Sequence, residues 1–211
     1  MGTNILRIGL LITATQFMLS TSCNKDGSKP CANYTPYGFN VTSEFNPQRE
    51  IYNVGDTIFL NSLFPKTLLD NISNQNIDYS NSINISGNFN TIYMDTITHA
   101  IQESFNRFSV SVLKGQQSPI TNSPNLGINI FYFENPSNYQ FQMSIKLLAK
   151  GLFYIGVTNL SSQGLVGKNC TNAGFNMTVT NSNKNINLFQ YALGYTPDAL
   201  LQKSIYCFRV Q

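Results

Sequence analysis

Apolar and polar residues alternate along several stretches of this chain. A period of two is the mark of a strand with one face in a core and the other in solvent. It is cleanest over residues 139–147, where Tyr139, Phe141, Met143 and Ile145 alternate with Gln140, Gln142 and Ser144. Phe39, Val41 and Ser43 set the same rhythm near the start, and Phe175, Met177 and Val179 repeat it near the end. Gly55-Asp56 is a turn signal, and Ile58 and Leu60 share one face of the strand that follows. Further strands are predicted over residues 91–98, 105–112, 128–133, 152–158 and 205–210. Residues 74–90 and 115–127 are polar and rich in turn formers, and read as loops. Helix-compatible spacing is confined to three places. Leu68 and Leu69, after Pro65, predict a short helix over residues 64–72. Ile186, Phe189, Tyr191 and Leu193 predict another over 185–193, with a further helical turn at 197–203. No internal repeat is present.

The N-terminus follows a different rule. Residues 8–19 form an apolar run shorter than the ~20 residues a membrane span needs. Arg7 precedes the run, and small hydroxylated residues follow it up to Cys23. The stretch Leu19-Ser20-Thr21-Ser22-Cys23 resembles the lipobox of bacterial lipoproteins, with the aliphatic Leu19 four positions before the cysteine. That resemblance implies a signal peptide over residues 1–22 and lipid attachment to Cys23. The Cys23 thiolate takes a diacylglyceryl group as a thioether, and cleavage frees its amine for a further acyl chain. Two or more chains give a stable anchor. Asn24, rather than Asp, follows the cysteine, which in such lipoproteins favours the outer membrane. Gly27, Pro30 and Pro36 mark residues 23–36 as a flexible tether. A single domain is expected over residues 37–211.

Two segments of that domain resemble bacterial immunoglobulin-like domains. Val54-Gly55-Asp56-Thr57-Ile58-Phe59-Leu60 is similar to the entry of an early strand there. Residues 151–157 resemble a late strand in which a glycine precedes a corner tyrosine, here with Phe153 two positions after Gly151. With the strand spacing, the expected fold is all-β: an immunoglobulin-like β-sandwich with loop insertions and one or two short helices near the C-terminus. The whole resembles a Gram-negative envelope lipoprotein.

Composition sharpens this picture mainly by exclusion. Charged residues make up only 11% of the chain, so Asn, Gln, Ser and Thr must carry its solubility. The net charge of +3 is spread without a basic cluster, which gives no footprint for nucleic acid. Besides Cys23 there are Cys31, Cys170 and Cys207. In an oxidising compartment Cys170 and Cys207 are expected to pair, with Cys31 bridging to one of them as the alternative. No C-x-x-C spacing suggests zinc. Asn74, Asn76 and Asp78 alternate like the start of a calcium loop, but Tyr79 and Ile85 stand where glycine and glutamate are required. No metal site and no cofactor are therefore expected.

His99 is the single histidine, and no G-x-S-x-G elbow accompanies it. Carboxylates are scattered, and a folded pair such as Glu44 with Glu134 is the form a glycosidase site would need. Tyr34, Tyr37, Tyr79, Tyr132 and Tyr195 are candidates for exposed, sugar-stacking rings. Asp-Thr-Ile occurs at Asp56 and again at Asp95, similar to a bacterial O-glycosylation motif, with both copies expected in strands. The leading expectation is a non-enzymatic binding or structural module, partnered with the membrane through its lipid. The alternatives are a carbohydrate-binding accessory of a polysaccharide-uptake system and, behind it, an envelope hydrolase.

Overall fold

Strand follows strand from Tyr37 onward in the computed structural model, which describes residues 36–95, 97–98, 100–180 and 203–211. The first half comprises β1 (Tyr37–Asn46), β2 (Ile51–Tyr52), β3 (Thr57–Pro65), β4 (Thr67–Leu69), β5 (Asn76–Asp78), β6 (Ser82–Ile83), β7 (Ser86–Met94) and β8 (Ile101–Glu103). A 3-10 turn at Phe105–Arg107 leads into β9 (Phe108–Lys114), β10 (Gln116–Pro119), β11 (Gly127–Phe131) and β12 (Phe133–Glu134). Then come β13 (Asn138–Leu147), β14 (Gly151–Ser162), β15 (Gly164–Leu165), β16 (Ala173–Val179) and β17 (Ile205–Val210). The all-β class follows from the alternation. The finer immunoglobulin-like expectation meets a sheet that is continuous and barrel-like.

Thirteen strands join one sheet, whose main path runs β10-β11-β7-β14-β16-β1-β3-β13-β12. β17 pairs with β14 and with β2, and β9 lies on β13. Most pairs are antiparallel, but β1 runs parallel to β16 over seven residues, and β17 parallel to β2. The two ends of the path are the same pieces of chain. β9, paired to β13 at one end, becomes β10, paired to β11 at the other, across the single residue Gly115. β11 likewise becomes β12 across Tyr132. Strands that cross from one side to the other through a local bend are how a sheet turns a corner.

Gly115 is needed for that bend. Its φ is +92°, and a Cβ there would lie 2.5 Å from the Phe131 carbonyl oxygen and 2.6 Å from Cδ2 of the Phe141 ring. Only glycine meets both demands.

The interior combines aliphatic side chains with many aromatic rings. Phe39, Tyr79, Phe175 and Phe64 pack together at one place, with centroids 5.1–6.1 Å apart. Phe153 contacts Phe108 and Phe208 at another. Phe153 is 1% exposed and has no hydroxyl, so the position two after Gly151 makes no tyrosine corner. Tyr52 and Tyr206 instead clasp the loop after β1: their hydroxyls lie 2.8 Å apart, and both accept the Arg49 N–H.

Three expectations are corrected here. The helix over 64–72 is the end of β3, then β4, then a turn. Pro65 closes a strand, and Leu68 is buried while Leu69 is exposed, which is alternation read as helical spacing. The polar loop over 74–90 contains β5, β6 and the first half of β7. β7 hides its period because its outward positions are asparagines engaged with one another. Asn159 donates to Asn88 (3.2 Å), Asn88 to Asn129 (2.8 Å), and Asn129 to Ser118 (3.2 Å) across β14, β7, β11 and β10. The loop over 115–127 likewise opens with β10. The helices expected over 185–193 and 197–203 fall almost wholly on 181–202, outside the described residues.

Candidate functional site at the sheet corner

The corner made by Gly115 and Tyr132 leaves a cleft of about 300 Å³. Its walls are Ser82 and Asn84 beside β6, Gln116 from β10, and Phe131, Phe133 and Glu134 flanking the β11–β12 bend. Tyr132 and Tyr139 close the floor. The local sequence explains the mix. Phe131-Tyr132-Phe133 places three rings in an extended segment, where neighbours point to opposite faces. They cannot all enter the core, and Phe133 is 51% exposed.

Glu134 sits at the inner end of this wall. Its Oε1 accepts from the Lys66 ammonium at 2.6 Å and from the Asn81 N–H at 2.9 Å. Burial by itself would raise its pKa, but the hydrogen bonds from Lys66 and the Asn81 N–H outweigh it and hold the carboxyl below its ordinary range. The pair is about four-fifths buried, its side chains 18% and 25% exposed. Glu134 is therefore a fixed, ionised acceptor. A general acid near neutral pH needs the opposite shift.

The two floor tyrosines are committed to the fold. Tyr139 donates to the Tyr79 carbonyl (2.6 Å) and accepts the Ser82 N–H (3.1 Å). Tyr132 donates to Ser62 Oγ at 2.9 Å. Burial pushes both phenols far above their usual pKa, so they stay neutral.

The residues singled out in the sequence are dispersed. Glu44 lines a separate shallow dent of about 150 Å³ between β1 and β3, so it shares no depression with Glu134. His99, Tyr34, Tyr195, Cys23 and Cys31 lie outside the described residues. Tyr79 is fully buried, and Tyr37 and Tyr132 are half-buried, so none of these three offers an open stacking face. Asp78 accepts from Ser80 at the end of β5, and Asn74 sits in a tight turn with φ of +56°; they form no calcium loop. Among the described residues no group of three or more His, Cys, Asp or Glu side chains could hold a metal ion. The second Asp-Thr-Ile copy is not in a strand: Asp95 follows β7 and accepts the N–H groups of Ile97 and Thr98 at 2.8 and 2.9 Å.

The Cys170–Cys207 bridge is also corrected. Cys207 is a free thiol, 1% exposed, packed with Ile92, Met94, Leu152 and Ile205 where β17 pairs with β14. Burial raises its pKa far above the usual thiol value, so it behaves as a small apolar side chain. Cys170 carries no free thiol.

Sequence reasoning missed Phe133, Lys66, Gln116 and Asn84. The run of three aromatics was the available signal for Phe133. Nothing local to Lys66 or Gln116 announces that the sheet turns its corner beside them. Comparison of the chain with models of protein families finds no match, and comparison with curated proteins finds none either.

Proposed function

We propose that this chain is an envelope lipoprotein whose β domain is a non-enzymatic binding module, with the corner cleft as its ligand site. The proposed ligand class is neutral and hydroxyl-rich, a saccharide. One observation carries this reading: the cleft is lined by the exposed Phe133 together with Gln116, Asn84, Ser82 and Glu134, a carboxylate whose charge Lys66 already offsets. An aromatic face stacks on the apolar face of a sugar ring, while amides and a fixed carboxylate exchange hydrogen bonds with its hydroxyls. A charged ligand would find no unpaired counter-charge in this wall.

The test is a titration of the full-length chain, purified in detergent, with a panel of neutral oligosaccharides. Phe133→Ala is expected to weaken binding about tenfold or more, within the ~1–3 kcal/mol that stacking of a nucleobase on an aromatic side chain contributes. Its exposure makes the substitution nearly neutral for folding. Unchanged affinity in Phe133→Ala would place the site elsewhere.

The anchor is supported by Leu19–Cys23 and by the cysteine bookkeeping. With Cys207 buried and free, a Cys31–Cys170 bridge accounts for Cys170 and leaves Cys23 for the lipid. Labelled palmitate is expected to enter the wild type and not Cys23→Ser. Non-reducing peptide mapping of the same samples is expected to link the peptides holding Cys31 and Cys170. A Cys23–Cys170 linkage would contradict the lipid reading.

A further inference from the structure

We propose that the cleft is one end of a longer platform, and that its ligand is an extended neutral polysaccharide laid across the strands. The inference rests on the saccharide reading of the cleft and extends it from a sugar unit to a chain.

The strand register builds the platform. Phe133 of β12 is paired with Gln140 of β13, and Gln140 with Leu63 of β3. All three lie on the outward face, where Leu63 is 54% exposed. A second row runs beside the first, with Gln142 opposite Asn61 and Asn61 opposite Glu44 of β1. The dent of about 150 Å³ lies at this far end, lined by Leu63, Asn61, Thr42 and Glu44. The row thus runs from Phe133, which lines the cleft, to this dent through apolar and amide side chains. Strands are ~4.8 Å apart, so the row from Phe133 to β1 spans ~14 Å. That is several pyranose units and more than a monosaccharide can cover.

The chemistry of the platform selects the occupant. β13 and β3 are paired with each other along the whole row, so their facing backbone groups are spent in the sheet, and a peptide adding as an extra strand would have to do so at the end strands β12 or β10, off the row from Gln140 to β1. What projects outward is Gln140, Gln142, Asn61 and Thr42, neutral groups that both donate and accept. Phe133 and Leu63 add apolar contact at intervals of two strands. That alternation of amide and apolar contact suits a chain of sugar rings with its hydroxyls at the rim. Lys114 of β9 lies opposite Gln142 at one end of the second row and Glu44 stands at the other, so the row between them carries amides and no net charge.

The test is a chain-length series. The full-length chain in detergent is titrated with linear neutral gluco- and manno-oligosaccharides, from disaccharide to hexasaccharide, by calorimetry. Affinity is expected to rise at least about tenfold up to the tetrasaccharide and then level off. Leu63→Lys, at an exposed position remote from the cleft wall, is expected to remove that gain and leave disaccharide binding unchanged. If hexasaccharide binds no better than disaccharide, the platform is wrong and the cleft reading stands. If no saccharide binds to protein with a native circular-dichroism spectrum, both are wrong. If reduced casein binds and Leu63→Lys abolishes that binding while saccharides fail, the occupant is a polypeptide and the proposal is overturned.

Discussion

Replacing Gly115 with alanine is expected to destabilise the domain by about 3 kcal/mol. Two costs add. A side chain at positive φ costs ~1–3 kcal/mol where the surroundings fix the backbone. The new Cβ must also be accommodated 2.5 Å from the Phe131 carbonyl oxygen, and a backbone atom does not swing aside as a side-chain tip can. The corner cannot relax freely, because β9 is held on β13 and β10 on β11 immediately either side of it. Urea unfolding should show a lower midpoint with an unchanged slope. A fall in melting temperature of about 10 °C is expected for a domain of this size. An unchanged midpoint would mean that β9 and β10 do not run continuously through this residue. Because Gly115 and Gln116 line the cleft, the same substitution should also weaken saccharide binding.

Asp70→Ala is the second large effect, with an expected loss of about 3 kcal/mol. Asp70 is 2% exposed, and its charge is met by donors from Gly38, Ile72 and Ser73. Oδ1 accepts the Gly38 N–H at 2.8 Å, and Oδ2 accepts the Ser73 N–H at 2.8 Å and the Ser73 hydroxyl at 2.6 Å. These bonds tie the β4–β5 hairpin to the start of β1. Truncation leaves these backbone N–H groups without an acceptor, which costs ~1–3 kcal/mol each where water cannot replace it.

The same residue gives stability a pH dependence. Burial by itself would raise the Asp70 pKa, but the hydrogen bonds from Ser73 and from the Gly38 N–H outweigh it and depress the value. A depressed folded-state pKa means the stabilisation is fully present above the unfolded-state value, about 4. It is lost as pH falls through the folded-state value. Glu134 has the same sign and adds to the effect. Wild-type stability should therefore fall steeply below about pH 4. Asp70→Ala should start lower and fall less. A parallel pH profile for the two proteins would show that Asp70 is not the group responsible.

Strands whose outward residues are plainly polar were legible in the sequence. β13 and β17 stand within a residue of their expected limits, because Tyr139, Phe141, Met143 and Ile145 alternate with side chains that could only face water. β7 was half lost, because Asn88 and Asn90 look like turn formers. They are strand residues whose amides hydrogen-bond across neighbouring strands. β4 was lost to the adjacent leucines at 68 and 69. The cleft was not legible at all. It is produced by Gly115 and Tyr132, each a single residue between two strands, and a one-residue interruption carries no periodic signal. The partnership of Lys66 with Glu134 depends on that corner, since 68 residues separate them.

The central claim is that a neutral saccharide occupies the corner cleft through Phe133 and the amides around it. Two-dimensional amide NMR of the isotope-labelled full-length chain in detergent, titrated with a neutral tetrasaccharide, tests it most directly. The predicted result is a set of saturable shifts confined to Ser82 and Asn84, Gln116, Phe133, Glu134 and the outward residues of β13 and β3. Shifts confined to residues that line neither the cleft nor the row, such as Leu152 and Arg209, or none at any concentration, would contradict it.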